Sequence, residues 1–177
     1  MYSGGYNTIT VWTKSRFFEK ISFEQYKKDV NSSMDNIDIH MEYDDIQLPK
    51  RVTQNSAGYD FYAPYDILLA PGNTVQIVTG IKAKMMPDEI LSLYPRSSLG
   101  FKYNVRLANT VGIVDADYYN NDNNEGHIMI KLYNPGTETV KIKKGDRFAQ
   151  GIFTKFLTVT NEEEITTTRQ GGMGSTN

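Results

Sequence analysis

The sequence predicts an all-β fold, a sandwich or barrel of short strands. Between residues 37 and 165 short apolar segments with strand-like alternation recur, and no helical period of useful length lies among them. Turn signals that contain glycine separate the segments at 71–73, 134–136 and 144–146. Such spacing is typical of antiparallel sandwiches and barrels, and composition alone does not choose between the two.

The predicted strands begin at residues 37–43, where four apolar residues alternate with polar ones. Further strands are expected around residues 67–69, 74–84, 89–94, 127–133, 138–142 and 147–157. The clearest alternation belongs to the strand at 127–133, which predicts that Ile128, Ile130 and Leu132 face the core.

Residues 1–36 differ from the rest and are expected to form an extension of the domain. Residues 8–13 alternate well enough for a short strand. Ser22 followed by Gln25 has the form of a capping box and predicts a helix over residues 23–30. Because apolar helical spacing usually marks packing, we expect this segment to pack on the outside of the domain rather than to bind a dedicated partner.

Composition excludes several classes of function. The chain has 177 residues, enough for one domain, and its net charge of −2 with no basic stripe gives no reason to expect nucleic-acid binding. It contains no cysteine, which excludes disulfides, thiolate zinc sites and a cysteine nucleophile. Neither a signal segment nor a membrane-spanning apolar run is visible. We therefore expect a soluble, intracellular protein of the cytoplasm with no membrane contact.

Residues 94–118 carry the chemistry that points most directly to function. Arg96 offers a planar fork of donors beside the hydroxyls of Ser97 and Ser98, and Gly100 lets the backbone approach a ligand closely. This combination favours an oxygen-rich anion, most naturally a phosphate. The pattern predicts a phosphate-binding turn.

A short apolar arm follows this turn. Residues 107–111 form it and carry Asn109, whose amide both donates and accepts hydrogen bonds. Asp115 and Asp117 come directly after the next apolar run. Carboxylates near a phosphate commonly hold a divalent metal or activate a water. The stretch therefore predicts a β-hairpin that combines phosphate binding, base recognition and water activation.

Five segments resemble, in the same order, the motifs of the trimeric deoxyuridine triphosphatases (dUTPases). They read AGYDFYA at 57–63, PRSSLG at 95–100, Asn109 with GIVDADY at 112–118, GDRFAQ at 145–150 and GGMGST at 171–176. A single segment of this kind would be a weak signal. Five in order across residues 57–176 are a strong one.

The resemblance implies a distorted jelly-roll β-barrel of the dUTPase type over residues 37–160. Residues 1–36 would be a short N-terminal extension with a possible strand and helix. Residues 161–177 would be a flexible C-terminal arm that orders over bound substrate, as a lid does. The resemblance also implies a homotrimer with active sites shared between subunits, since a closed three-fold ring can bring scattered motifs to one site.

The implied reaction is hydrolysis of dUTP to dUMP and pyrophosphate, which keeps uracil out of DNA and supplies dUMP for thymidylate synthesis. Asp115 matches the aspartate that activates a water for attack on the α-phosphate. Mg²⁺ is the implied cofactor, held mainly by substrate phosphates and waters. Asp60 is expected either in an outer shell near the metal or as the partner of an arginine, and Asp117 is interpreted as structural.

The resemblance also assigns recognition of the nucleoside. The ring of Tyr118 would lie under the deoxyribose and leave no room for a 2′-hydroxyl. Asn109 would read uracil together with main-chain groups of the same arm, at Gly112 and Val114. A site built to pair with uracil leaves unsatisfied groups facing cytosine, which is a strong form of discrimination.

The phosphate contacts complete the expected site. The residues assigned to them are Arg96, Ser97, Ser98, Gly100 and Gln150. The arm contributes Arg169, Met173, Gly174, Ser175 and Thr176. Arg169 is expected near the γ-phosphate, and Met173 stands where the family has an aromatic ring but can still cover a base edge. Asp146 and Arg147 are predicted to pair with each other in a tight turn.

Two alternatives stay open. Deaminases of dCTP share the fold and an Arg-Ser-Ser turn, but they carry a glutamate where this chain has Lys131, and lysine cannot serve as that proton shuttle. A nucleotide-responsive binding protein could hold a partner through residues 1–36 or through the Asn/Asp-rich loop at 119–125, which we expect to be an exposed hairpin tip. Asp115 argues against binding as the only function.

Overall fold

The computed structural model of the protein describes residues 15–30, 36–167, 169 and 171. The strands are β1 (Phe17–Lys20), β2 (Tyr59–Tyr62), β3 (Ile67–Leu69), β4 (Thr74–Val78), β5 (Ile81–Lys84), β6 (Glu89–Pro95), β7 (Arg106–Leu107), β8 (Gly112–Asp115), β9 (Met129–Tyr133), β10 (Val140–Ile142) and β11 (Arg147–Lys155). The helices are α1 (Phe23–Asp29), α2 (Asn36–Asp44), α3 (Ser97–Tyr103) and a single 3-10 turn, Ala116–Tyr118. The all-β class is confirmed.

The described strands form four antiparallel sheets. Their strand orders are β2-β11-β6-β8, β4-β9-β7, β1-β5 and β3-β10. The longest pairing joins β6 to β11, from Pro95 opposite Ala149 to Glu89 opposite Lys155. On its other edge β6 pairs with β8. Strand β6 therefore connects two regions of the predicted site.

The core lies between these sheets, and its pattern follows the sequence closely. Strand β9 buries Ile130 and Leu132 and exposes Lys131, and Ile128 just before it is also buried. Other fully buried core residues are Phe61, Phe148, Leu69, Ile77, Ile81 and Leu91. The inward orientation predicted for the strand at 127–133 is confirmed.

The prediction of a strand over residues 37–43 is wrong, because helix α2 covers this segment. Ile39 and Glu42 are both buried, so the inward face follows a helical rather than an alternating period. Met41, which the alternation places inward, is 64% exposed. The Tyr26 hydroxyl donates to the buried Glu42 carboxyl, and burial raises the pKa of Glu42. A carboxyl group on the inner face concealed the helical period.

Helix α1 begins as the sequence predicts. Ser22 is its N-cap, and the Ser22 Oγ accepts a hydrogen bond from the Gln25 backbone N–H at 3.1 Å. The reciprocal half of the predicted capping box is replaced by other contacts. The Gln25 side chain donates to Asp29 at 2.9 Å, and the Ser22 backbone N–H donates to Glu125 at 2.9 Å. Glu125 thus ties the start of α1 to the loop after β8.

The described part of the N-terminal segment contributes to the same core as the strands. Ile21 and Tyr26 are buried within it, and Phe18 packs edge-on against Phe61 with 5.7 Å between ring centres. Strand β1 pairs with β5 over its whole length. Residues 8–13, predicted as a strand, lie outside the described residues. Within the described ranges, no helix has both the length and the apolar character that crossing a membrane requires.

Candidate active site

Strand β6 separates two groups of predicted site residues. Arg96 directly follows the end of β6, whereas Asp115 on β8 lies opposite Ile90, near its beginning. Arg96 is six positions beyond Ile90, so the two ends are about 20 Å apart at about 3.3 Å per residue. Within one chain, the expected phosphate contacts and the candidate base are therefore far beyond hydrogen-bond distance.

A cavity of about 350 Å³ lies beside β8. The predicted site residues that line it are Asn109, Gly112, Val114, Asp115, Tyr118 and Arg169. Leu93, Ile113, Ile128 and Met129 complete its wall with apolar side chains. A cavity that combines apolar wall residues with a few placed polar groups is typical of a small-molecule site. The residues expected to contact the nucleoside are thus brought together.

The prediction that Asn109 lies on a paired β-hairpin is wrong. Strand β7 pairs with β9 and β8 pairs with β6, so the two arms belong to different sheets. Asn109 is exposed in the turn between them, and Thr110 adopts a φ of +70° there. The chain passes from one sheet to the other at this turn, because β7 and β8 are hydrogen-bonded to different strands and not to each other.

Tyr118 lies buried beside the cavity, and two hydrogen bonds hold its hydroxyl. This hydroxyl donates to the His127 carbonyl oxygen at 3.1 Å and accepts from Asn124 Nδ2 at 2.8 Å. Burial raises the pKa of Tyr118, so its hydroxyl keeps the proton that it donates. The ring is therefore fixed by two hydrogen bonds at its far end.

The loop at 119–125 is not the exposed hairpin tip that the sequence predicts. Asn121 and Asn124 are buried in it. Asn121 Nδ2 donates to the Tyr118 carbonyl oxygen and to Asn124 Oδ1, both at 2.8 Å. Sequence reasoning missed these supporting residues. The available signal was a cluster of asparagines before Gly126, which is typical of side chains that hydrogen-bond to nearby backbone.

Asp115 lines the cavity with 48% of its side chain exposed. Arg169 donates to Asp115 Oδ2 at 2.6 Å and to Asp117 Oδ1 at 2.9 Å, and its guanidinium lies 5.7 Å from the centre of the Tyr118 ring. In this chain Arg169 thus pairs with the candidate base, and its contact with a γ-phosphate stays a prediction. The other predicted arm residues, Met173, Gly174, Ser175 and Thr176, lie outside the described residues.

At the other end of β6, Arg96 and Arg147 share the buried carboxylate of Asp60. Asp60 Oδ1 accepts from Arg96 at 2.6 Å and Oδ2 accepts from Arg147 at 3.2 Å. Both oxygens are engaged, so Asp60 orients arginines in this chain. Arg96 Nε is buried without a hydrogen-bond partner among the described residues. A buried donor of this kind is available to an anion.

The predicted phosphate-binding turn is the start of helix α3. The Arg96 carbonyl oxygen accepts from the Gly100 N–H at 3.2 Å, and Ser97 and Ser98 are exposed in the first turn. Among the described residues, a Cβ at Gly100 would meet only the Val105 carbonyl oxygen, at 3.8 Å. Nothing in the described part of the chain therefore requires glycine at this position, and the expected close approach of the backbone to a ligand stays a prediction.

Gln150 lies on β11 opposite Tyr94, close to the Arg96 end of β6. Its side-chain oxygen occupies the space beside Gly58, where a Cβ would come within 2.4 Å. The glycine of the first motif therefore makes room for the glutamine of the fourth. The predicted pairing of Asp146 with Arg147 is wrong, since Asp146 instead accepts from the Lys143 backbone N–H at 2.9 Å and Arg147 pairs with Asp60.

The acidic residues of the site leave little room for a protein-held metal. Within the described ranges, no three histidine, aspartate or glutamate side chains form a group that could hold a metal ion. Asp115 and Asp117 pair with Arg169, and Asp60 pairs with two arginines. This donor set fits a metal that arrives on a polyphosphate and takes its ligands from phosphate oxygens and water.

Together these features suit one class of protein. An arginine with a free buried donor can hold phosphate oxygens. A half-exposed carboxylate beside a nucleoside-sized cavity can act on a water. The class that combines a phosphate-binding arginine with such a carboxylate is an all-β enzyme that acts on phosphorylated nucleosides.

Comparisons with known proteins give the particular family. The sequence model of the family described as dUTPase matches residues 44–177. A deoxyuridine 5′-triphosphate nucleotidohydrolase of Lactococcus lactis subsp. lactis is 46% identical over 132 residues, which are 74% of this chain and 88% of that protein. The Fowlpox virus protein of the same name is 35% identical over 150 residues, 81% of this chain and 98% of that protein. The chain belongs to the dUTPase family.

A solved structure supports the same assignment at the level of the fold. The crystal structure of a dUTPase from Streptococcus mutans matches with a TM-score of 0.63 at 36% identity. The match covers 82% of this chain and 99% of that one. The dUTPase-type fold predicted from the five motifs is confirmed.

Proposed function

We propose that this protein hydrolyses dUTP to dUMP and pyrophosphate. The observation that carries the proposal is the convergence of Asn109, Asp115 and Tyr118 on one nucleoside-sized cavity. These residue types supply an amide for a base edge, a carboxylate for a water and a ring for a sugar face. Their convergence in a chain of the dUTPase family favours dUTP as the substrate.

In this mechanism Asp115 takes a proton from a water that attacks the α-phosphorus. The bond from the α-phosphorus to its bridging oxygen breaks as the new bond forms, so that dUMP and pyrophosphate leave. Arg96 donates to phosphate oxygens through its guanidinium, and the ion pair with Asp60 holds that group in position. Preoriented donors of this kind stabilise charge that develops during the reaction.

Mg²⁺ belongs to the proposal as a partner of the triphosphate. The bound ion supplies charge neutralisation on the phosphate oxygens. The residues that would flank the metal–phosphate complex are Arg96, Ser97 and Gln150. Asp60 remains an orienting group, because both of its oxygens already accept hydrogen bonds from arginines.

Selectivity follows from the same cavity. Asn109 and the main-chain groups of Gly112 and Val114 pair with the edge of uracil, and cytosine presents the wrong donors and acceptors to them. Tyr118 closes the sugar side, where a 2′-hydroxyl would have to displace a ring that is already buried and hydrogen-bonded. We expect dCTP and UTP to be poor substrates for these separate reasons.

The proposed assembly is a homotrimer with three shared sites. It is supported by the separation of about 20 Å between the Arg96 end of β6 and Asp115, since a general base acts only within hydrogen-bond reach or through one water. A second cavity, lined by Arg96 and Ser98, shares no lining residue with the nucleoside cavity. A closed three-fold ring would bring the Arg96 end of one subunit to the Asp115 of another.

Pyrophosphate release from dUTP, dCTP, dTTP and UTP tests the proposed reaction. We expect fast release from dUTP and only slow release from the other three nucleotides, measured side by side at equal enzyme and Mg²⁺. Ammonia release from dCTP would instead identify a deaminase. That outcome is disfavoured because Lys131, at the place of the deaminase glutamate, is exposed on the outer face of β9.

Complementation tests the shared site. An Asp115→Asn chain and a chain truncated after Thr167 are each expected to be nearly inactive. Unfolded and refolded together, they should regain a fraction of wild-type activity, because some sites then combine an intact Asp115 with an intact arm. Each chain refolded alone is the control. A verified mixed trimer without recovered activity, or a fully active monomer, would show that each site is built within one chain.

The reaction would serve nucleotide metabolism in the cytoplasm, where it keeps uracil out of DNA and supplies dUMP for thymidylate synthesis. A second role as a partner-binding protein has weaker support. The loop at 119–125 is engaged at one end by α1 through Glu125 and Ser22, which leaves only part of it exposed for a partner.

A further inference from the structure

Helix α1 precedes the residues that match the family, yet its contacts reach the nucleoside cavity. Asp29 at the end of α1 pairs with His127 Nδ1 at 2.6 Å, and the carbonyl oxygen of His127 accepts from the Tyr118 hydroxyl at 3.1 Å. We propose that Asp29 and His127 are positioning residues that hold Tyr118 in place and thereby set the discrimination between dUTP and UTP. This inference rests on the proposed role of Tyr118 under the deoxyribose.

The hydrogen bonds of His127 define its tautomer. The Gly80 backbone N–H donates to His127 Nε2 at 2.8 Å, so Nε2 is unprotonated and the ring proton is on Nδ1. Nδ1 therefore donates to the Asp29 carboxylate, a charge-assisted bond of the stronger kind. Burial lowers the pKa of His127 against the opposing effect of Asp29, which keeps the ring neutral. Both ring nitrogens are thus committed to fixed partners.

The ring of His127 in turn fixes its own backbone. The side chain is completely buried, with Tyr26 of α1 packed 6.3 Å away between ring centres. The His127 backbone N–H donates to the Asn124 carbonyl oxygen at 2.9 Å. Asn124 also donates from its side chain to the Tyr118 hydroxyl at 2.8 Å. The tyrosine hydroxyl is therefore held between the carbonyl oxygen of His127 and the side chain of Asn124, to which the backbone of His127 is hydrogen-bonded.

A small displacement of this support would affect sugar selection more than overall binding. Uracil and phosphate contacts are the same for dUTP and UTP, whereas the 2′-hydroxyl distinguishes them at the ring of Tyr118. A site that excludes a group by close packing loses selectivity when the packed ring can move, and displacements of about 1 Å have large effects on reactivity. The ratio of kcat/KM for dUTP to that for UTP is the sensitive quantity.

The test compares Asp29→Asn with Glu24→Gln. Both changes replace an acid by its amide on α1. Asp29 contacts His127, whereas Glu24 is exposed in the first turn of the helix. We expect Asp29→Asn to reduce the dUTP/UTP ratio about 3- to 10-fold, because a neutral acceptor holds the imidazole less firmly. Glu24→Gln should leave the ratio unchanged. Loss of folded enzyme lowers the rates with dUTP and with UTP by the same factor. A purely structural role of Asp29 would therefore leave the dUTP/UTP ratio unchanged.

Asp29→Glu keeps the charged acceptor but lengthens its stem by one methylene group. Its ratio should lie between those of the wild type and Asp29→Asn, and it provides the measurement if Asp29→Asn does not fold. An unchanged ratio in every folded Asp29 variant would overturn the positioning role. A wild-type protein that does not hydrolyse dUTP would instead overturn the proposed function, which is a different result.

Discussion

Replacing Asp115 with asparagine is expected to reduce turnover of dUTP by about 10²- to 10⁴-fold, the usual contribution of a general base. Asparagine keeps the size and much of the hydrogen bonding of the side chain but cannot take a proton at neutral pH. The fold should persist, because Asp115 is half-exposed at the edge of its sheet. Steady-state kinetics give the loss in kcat, and calorimetry with a non-hydrolysable dUTP analogue checks that binding remains.

Asp117→Asn is the matched control. Asp117 is 60% exposed and pairs with the same guanidinium of Arg169, so each variant removes the negative charge of one partner of that arginine. Only Asp115 is expected to act on the water. Activity of Asp117→Asn should therefore stay within a few-fold of the wild type. Equal losses in the two variants would mean that pairing with Arg169, rather than proton transfer, explains the effect.

Gly126→Ala is expected to cause the largest loss of stability among single small substitutions in the loop beside the cavity. Gly126 has a φ of +81°, and an added Cβ would lie 2.6 Å from the Tyr118 carbonyl oxygen. Backbone strain at positive φ costs about 1–2 kcal/mol and overpacking about 1–3 kcal/mol. We therefore expect the free energy of unfolding to fall by about 2–5 kcal/mol, measured by denaturant unfolding at fixed protein concentration.

Gly72→Ala separates the two causes. Gly72 has a similar φ of +73°, but no atom of the residues that the structure describes lies within 4 Å of an added Cβ. This variant experiences only the backbone strain and should lose about 1–2 kcal/mol. If Gly126→Ala and Gly72→Ala lower the free energy of unfolding by the same amount, the backbone of Tyr118 moves aside without cost. It would also weaken the view that the loop holds Tyr118 rigidly.

Local patterns predicted much of the fold. Alternation placed β9 and the inward residues Ile130 and Leu132, because one face of that strand is buried and the other is exposed. The same reasoning failed for α2. Its buried face includes Glu42, which a distant tyrosine hydroxyl satisfies, and no local rule predicts burial of a carboxyl group whose partner lies elsewhere in the chain.

For the site, the motifs selected residues that the fold brings to one cavity, including Asn109, Asp115 and Tyr118. The supporting contacts were not predictable in the same way. The pair of His127 with Asp29 joins positions 98 residues apart. Arg147 pairs with Asp60 and not with Asp146, its neighbour in sequence. Such pairings depend on which strands and helices become neighbours, and this is decided by the packing of the whole domain.

The contact of Arg169 with Asp115 and Asp117 has a consequence for measured affinities. A substrate that needs Asp115 unpaired can bind only the fraction of molecules in which this arginine has moved away. Its apparent dissociation constant is then the intrinsic constant divided by that fraction. The pair is partly exposed, so dissolved salt weakens it. Nucleotide affinities of this protein therefore have to be compared at one ionic strength, because salt changes the competent population as well as the phosphate contacts.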